Sequence, residues 1–511
     1  MIFLNSCLAV YVLVICAKAN VLERQARQSG VFRFANYYQN SMVLQRAPTQ
    51  ANVWGYAGSV AVGTSVNVNV AGKDYTTTVQ TSPAGNVWEV KLDAIAAGGP
   101  YTVTATSSGQ TATLTDVLFG DIWLCSGQSN MEHPVHRMDD PDDEMNNAGS
   151  FPNVRLMNVP HLENAQPQYD VSSIALPWQR ASRNGVYWFS AICWLFGKEI
   201  HRRQNIPVGL IGSNWGGTRI EAWMSPEARG SCNADTESIQ GPNDPSHLWN
   251  AMVHPFLPMS MTGALWYQGE SNRNNAEQYA CLFPAMINDW RARFNARGGT
   301  PGDFPFGFVQ LAPWRNQLVQ TGFPDVRWSQ TANIGYVPNN NMPRTFMAVA
   351  IDTPDYNSPW GSIHPRYKRP LAERLLYGGL NVAYGDASVR HQGPFPTNFT
   401  LDGSTSSIII TYDNGQTQLQ FGTSGPFEVC CSTSDGATCG DAGTNWEAAI
   451  VSEENASSGV TITFSCLPTM ESVVGVRYAW QESPCELNNC AIYSVENNLP
   501  APPFIHNGLI G

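Results

Sequence analysis

The sequence predicts an α/β fold, a mostly parallel sheet covered by helices on both faces, with a β-rich region on either side of it in the chain. Three observations carry this expectation. Between residues 116 and 375, apolar runs ending in glycine or polar residues alternate with amphipathic segments of helical length. Before residue 116 the chain alternates polar and apolar residues with a period of two, and past residue 376 that pattern returns without helical segments. The 511 residues, 43% of them hydrophobic, supply apolar surface for more than one core.

The chain opens on "MIFLNSCLAVYVLVICAKAN", an apolar stretch closing on small residues, which predicts a secretory signal peptide over residues 1–19 although it lacks an early Lys or Arg. An uncleaved anchor is the competing reading of a segment that barely reaches spanning length, and no later segment looks transmembrane. Residues 20–115 contain "ANVWGYA", "SVNVNVA", "DYTTTVQ", "VWEVKLDAI" and "YTVTATS", short strands of an antiparallel, sandwich-like domain that shields the next one. Over residues 116–375, "VLFGDIWLCSG", "IPVGLIGSNWGG", "TGALWYQGESN", "FPFGFVQLAP" and "RTFMAVAID" read as buried strands. "GVYWFSAICWLFGKEIHRR" and "NAEQYACLFPAMINDWRARFN" read as helices between them, the second with Pro284 inside it. In the last region, residues 376–511, "LNVAYGD", "SIIITYD", "TQLQFGT", "GVTITFS" and "GVRYAWQ" read as strands around a cysteine cluster.

Ten of the twelve cysteines follow the signal segment, an even number, and six of them crowd the tail: Cys430, Cys431, Cys439, Cys466, Cys485 and Cys490. Adjacent Cys430 and Cys431 are expected to bridge elsewhere, in an oxidised carboxy-terminal region. Structural zinc is the weaker explanation, because no paired ligand spacing appears. "NFT" at Asn398 and "NAS" at Asn455 are glycosylation sequons, usable in a secreted chain. Net charge is -12 and only 14% of residues are charged, which argues against a nucleic-acid partner. The acidic "MDDPDDE" at 138–144 reads as a solvated turn ahead of a calcium loop.

Open α/β sheets place ligands at strand carboxyl ends, and here those ends carry chemistry. Ser129, in "CSGQSNM", is expected in a strand-to-helix turn, where it is either a nucleophile or a helix cap. A serine nucleophile needs a base, and His364 in "SPWGSIHPRYK" follows another strand by a short loop. Glu270 and Asp352 each end a strand, and either could orient His364. Oxyanion donors are expected among the Ser129 N–H, a glycine N–H at Gly216 or Gly217, and the Gln268 amide. Arg219, Trp223, Trp266, Arg327 and Trp328 flank these positions and are expected either to contact substrate or to be ordinary core and surface residues.

The blocks "GDIWLCSGQSNM", "GLIGSNWGGTRIEAWM", "LWYQGESN", "RWSQ" and "IDTPDYNSPWGSIHPRYKRPLAERL" resemble those of the sialate O-acetylesterases, within the SGNH hydrolase group. "FRFANYYQNSMVLQRAPTQANVWGYA" and "VRYAW" extend the resemblance over most of the mature chain. It implies an SGNH-like core and hydrolysis of O-acetyl esters of sialic acids or sialoglycans, especially at the 9 position, in lysosomes or outside the cell, with no metal or organic cofactor. It also implies Ser129 as nucleophile, His364 as base, and Gly217 and Gln268 as oxyanion donors. Gly361 stands three residues before His364, where many SGNH enzymes have Asp, and the "QGE" block then favours Glu270 over Asp352 as third member. Two rival expectations are an acetylesterase acting on xylan or another polysaccharide, and a non-catalytic glycan-binding protein.

Overall fold

The computed structural model describes residues 30–234, 238–434, 437–440, 444–457, 459–466, 472–508 and 510. The expected signal peptide lies outside the described residues. Seven strands form the main path of the largest sheet: β1 (Gln110–Gly127), β2 (Val154–Asn158), β3 (Leu176–Arg180), β4 (Val208–Asn214), β5 (Gly263–Tyr267), β6 (Phe306–Gln310) and β7 (Thr345–Val349). Their spatial order is β3-β2-β4-β1-β5-β6-β7, and every neighbouring pair is parallel except β2 with the edge strand β3.

Residues of successive parity point to opposite faces of a strand, and the core divides accordingly. Cys125, Leu210 and Leu265 face the helices α2 (Ala191–Gln204) and α5 (Lys368–Gly378), packing with Ile192, Phe196, Leu371 and Leu375. Leu124, Ile211 and Trp266 face the other way, toward α3 (Ala276–Gly298), which contributes Tyr279, Phe283 and Trp290. Both faces are covered, as an all-apolar parallel strand requires.

Register sets the site. Gly127 of β1 lies beside Asn214 of β4 and beside Tyr267 of β5, so the residues that follow each strand emerge together at one carboxyl-end rim. The loop after β7 brings in His364.

β1 runs unbroken through residues 115 and 116. Its first half pairs with Gly98–Ser107 and Val43–Gln45, its second half with β4 and β5, so one strand carries the chain from the amino-terminal sheets into the site. Asp116, inside it at φ +56°, is held by Arg155 and Arg180 at 2.8 and 2.9 Å. Antiparallel strands Arg33–Phe34, Asn52–Tyr56, Gly85–Lys91 and Gln80–Ser82 form one amino-terminal sheet, and Ser65–Val70, Lys73–Thr78 and Gly98–Ser107 line up on β1. Their inward residues, among them Trp54, Val66, Val68, Trp88 and Val103, share a core with the α3 face.

The carboxy-terminal region holds a seven-stranded antiparallel sheet from Pro396–Asp402 to Phe504–Asn507. Cys430 pairs with Cys439, Cys431 with Cys466 and Cys485 with Cys490, while Cys125–Cys193 and Cys232–Cys281 tie the core. The side chains of Asn398 and Asn455 are exposed.

Three local expectations are corrected. "GVYWFSAICWLFGKEIHRR" is two helices, Arg183–Tyr187 and α2, because the Ser190 hydroxyl accepts from the Cys193 N–H and starts a new helix. "LNVAYGD" is not a strand; Gly379–Ala383 continues α5 as a wide helical turn. The acidic 138–144 segment leads into a helix at Pro141, with Glu144 paired to Lys198. Strands β2 and β3, short and without clear alternation, add to the expected set.

Candidate active site

Ser129 opens α1 (Ser129–Glu132), two residues past β1. The turn is tight because Gly127 sits at φ +136°, and a Cβ there would stand 2.2 Å from the Tyr267 carbonyl oxygen, so only glycine fits. Gln128 then donates its N–H to that carbonyl, and its side-chain oxygen accepts from the Ser271 N–H at 3.2 Å. As the first helical residue, Ser129 has an N–H with no intrahelical partner.

His364 Nε2 lies 2.8 Å from Ser129 Oγ, and Nδ1 lies 2.8 Å from the Trp360 carbonyl oxygen. A backbone carbonyl only accepts, so Nδ1 carries the proton and Nε2 is left to accept from the serine hydroxyl. The tautomer required of a general base is thus set by the backbone. Burial lowers the His364 pKa; the Trp360 bond opposes this, while the charges of Lys368 and Arg137 add to it. The histidine loop is pinned throughout. Asp355 holds Arg366 bidentately at 2.7 and 2.9 Å, Ser358 donates to the His364 carbonyl at 2.8 Å, and Gly361, at φ +89°, forms the turn between them.

Neither expected carboxylate touches the imidazole. Glu270 is buried and accepts from Asn130 Nδ2 at 2.6 Å; the same amide donates to the Ile363 carbonyl at 2.9 Å, one residue before His364. Lys368 donates to Asn130 Oδ1 at 2.7 Å. Burial raises the Glu270 pKa and pulls the Lys368 ammonium down to about 7. Asp352 is fully buried in a bidentate pair with Arg374 at 2.6 and 2.7 Å, and accepts from the Tyr493 hydroxyl at 3.0 Å. Glu270 supports the histidine loop through Asn130, and Asp352 fastens the carboxy-terminal region.

The donor set is also corrected. Both Gln268 amide hydrogens are committed, to the Thr218 carbonyl at 3.1 Å and Asn272 Oδ1 at 2.7 Å, within a fully buried side chain. Gly216 abuts the serine, since a Cβ there would meet Ser129 Cβ at 3.2 Å, but its N–H is taken by Glu132 Oε2 at 2.8 Å. The exposed Gly217 N–H forms no hydrogen bond among the described residues.

None of the five expected substrate contacts lines the cavity over Ser129. Trp223 and Trp266 are core rings packed edge to face. Arg327 is buried, its guanidinium spent on the carbonyls of Leu311, Ala312, Gln481 and Glu482. Trp328 packs on Trp480, and Arg219 pairs with Glu221 at 3.1 Å.

A family model described as carbohydrate esterase, sialic acid-specific acetylesterase, matches residues 119–353, and one described as sialate O-acetylesterase C-terminal domain matches residues 397–508. The mouse sialate O-acetylesterase is 38% identical over 96% of this chain and 98% of its own. The human protein of that name is 39% identical over 94% and 93%. The chain belongs to the sialate O-acetylesterase family. This family membership makes it an esterase. A carbohydrate acetylesterase from Xanthomonas citri shares the fold, with a TM-score of 0.77, 28% identity, and coverage of 93% of this chain and 100% of that one.

In this esterase the cavity over Ser129 has a volume of about 310 Å³ and is lined by Ser129, Glu132, His133, Arg137, Trp188, Trp360 and His364 among others. Sequence reasoning passed over Arg137 and Trp188, and over Trp360, which lies in the same loop after β7 as His364. The signal that could have found Trp188 is the break at Ser190, which releases it from a helix and leaves it 65% exposed. Among the described residues no group of three or more His, Cys, Asp or Glu side chains could hold a metal.

Proposed function

We propose that this esterase removes O-acetyl groups from sialic acids, the 9-O-acetyl ester foremost, through an acetyl-serine intermediate on Ser129. The observation that carries the reading is the 2.8 Å approach of His364 Nε2 to Ser129 Oγ at a helix start, on the rim of a sugar-sized cavity. The family supplies the substrate class. The arrangement of nucleophile and base at strand carboxyl ends agrees with an SGNH-like core.

Ser129 Oγ attacks the acetyl carbonyl carbon while its proton passes to His364 Nε2. The oxyanion is held by the N–H groups of Ser129 and Gly217, donors left free by the helix start and the Gly217 turn. Collapse breaks the bond to the sugar oxygen, which takes the proton back from His364. Water then attacks the acetyl-serine, giving its proton to Nε2, and acetate leaves as Ser129 recovers a proton. Throughout, the Trp360 carbonyl accepts from Nδ1–H and stabilises the transient imidazolium. Every step uses side chains and backbone of this chain. The five disulfides suit a secretory-pathway protein, secreted or lysosomal, and no described helix is long and apolar enough to cross a membrane.

Acetate release from 9-O-acetylated sialic acid by the purified protein tests the reading, with Ser129→Ala and acetylated xylan alongside. Release from the sialate that the substitution abolishes is the expected result. Release from xylan alone moves the substrate and keeps the site, and no release from any acetyl ester leaves a glycan-binding protein.

A further inference from the structure

Several buried or half-buried arginines among the described residues are spoken for. Arg155 has Asp116, Arg366 has Asp355, Arg374 has Asp352 and Arg327 has four carbonyls. Arg137 differs. Its guanidinium has no hydrogen bond or ion pair among the described residues, its Nε is buried without a partner, and the residue lines the Ser129 cavity. Unpaired donors of this kind carry a desolvation cost that an acceptor bound in the cavity would offset.

The group is nevertheless held in place. Its guanidinium carbon lies 4.3 Å from the Trp360 ring centroid and 5.8 Å from that of Trp188. The Arg137 carbonyl accepts from His133 Nε2 at 3.0 Å, fixing the short helix Val135–Arg137 against a buried ring. The opposite charge in the cavity wall is Glu132, which bonds the Gly216 N–H and stands 2.8 Å from His161 Nε2. The cavity therefore has a cationic wall and an anionic wall, with the serine hydroxyl within the same small volume.

We propose that Arg137 is the specificity residue of this esterase, receiving the carboxylate of an acidic sugar while Glu132 faces hydroxyl groups. A planar carboxylate matches the guanidinium fork, and the flanking tryptophans give that fork one orientation. A neutral acetylated sugar would leave the donors unpaired, so the cavity selects against it. The inference rests on the sialate reading and assigns to one side chain the acid-sugar selectivity that reading requires.

The test compares three substrates: 9-O-acetylated sialic acid, its carboxyl methyl ester, and 4-nitrophenyl acetate. For the wild type, methyl esterification is expected to raise KM on the order of 10- to 100-fold with a smaller change in kcat, since the carboxylate is remote from the reacting carbonyl. Arg137→Met is expected to bring the KM values for the acid and its methyl ester together, and Arg137→Lys to restore part of the difference. Equal wild-type rates on the acid and its methyl ester would overturn the role of Arg137 and leave the sialate reading standing. An Arg137→Met protein that keeps the wild-type ratio of KM between the acid and its methyl ester would overturn that role. Cleavage of 4-nitrophenyl acetate with neither sialate cleaved by the wild type would remove the sialate reading and this inference together.

Discussion

At the scale of the residue, His364 sets the pH behaviour. Its pKa lies below the ordinary 6.5 because burial disfavours the cation and Lys368 and Arg137 repel it. The neutral form is the base, so kcat/KM is full above the folded pKa and falls as pH drops through it. The expected acid limb therefore lies below pH 6.5, read from a pH profile on a sialate ester. The two carboxylates separate cleanly by substitution. In a triad that relies on a carboxylate, replacing it by an amide costs about 10⁴ in kcat. Here Glu270→Gln keeps an oxygen for Asn130 and leaves the Trp360 carbonyl on Nδ1, so kcat is expected to fall less than tenfold. Asp352→Asn instead leaves the buried Arg374 charge poorly matched, and is expected to cost about 3–5 kcal/mol in a denaturant titration with an unshifted pH profile.

At the scale of the element, strand ends were legible and cavity walls were not. Apolar runs such as "LIGSN" and "ALWYQ" announce buried strands because a parallel strand is covered on both faces, and the polar residues after them must surface at the carboxyl rim. Ser129 and His364 follow from that rule. Trp223 and Trp266 did not, because proximity in sequence to a motif says nothing about which face of a sheet a ring meets. Gln268 misled for the same reason: it ends a strand, but its amide turns into the buried Thr218–Asn272 network. A backbone carbonyl as partner of His364 leaves no side-chain signature at all. The helix break shows a local signal that was present and outweighed. "WFSAICW" offers a cap at Ser190, yet the apolar spacing on either side is continuous with one helix. Ser190→Ala is expected to cost about 0.5–2 kcal/mol in thermal unfolding. It is also expected to raise KM, because Trp188 is positioned by that break.

At the scale of the whole molecule, the expected boundaries near residues 115 and 375 lie inside β1 and α5. β1 crosses the first without interruption. Ahead of the second, Val349 at the end of β7 and Ile351 in the turn after it share an apolar cluster with Ile408, Val476 and Tyr478 of the carboxy-terminal sheet. Polar contacts run the same way. Arg327 takes two of its four carbonyls from Gln481 and Glu482, Glu482 holds Arg315 at 2.6 Å, and Tyr493 reaches Asp352. A chain cut after residue 375 would expose that cluster, strip half the acceptors from a buried guanidinium and unseat the Asp352–Arg374 pair. Together these losses rival the net stability of an ordinary domain. Residues 30–375 expressed alone are therefore expected to show no cooperative unfolding transition and no acetate release. A soluble, active fragment would show instead that the His364 loop is held by Asp355, Ser358 and Asn130 without help from the tail. The amino acids around Ser129 do the chemistry, but the end of the strand that leads to the base packs against a sheet that begins only at Pro396.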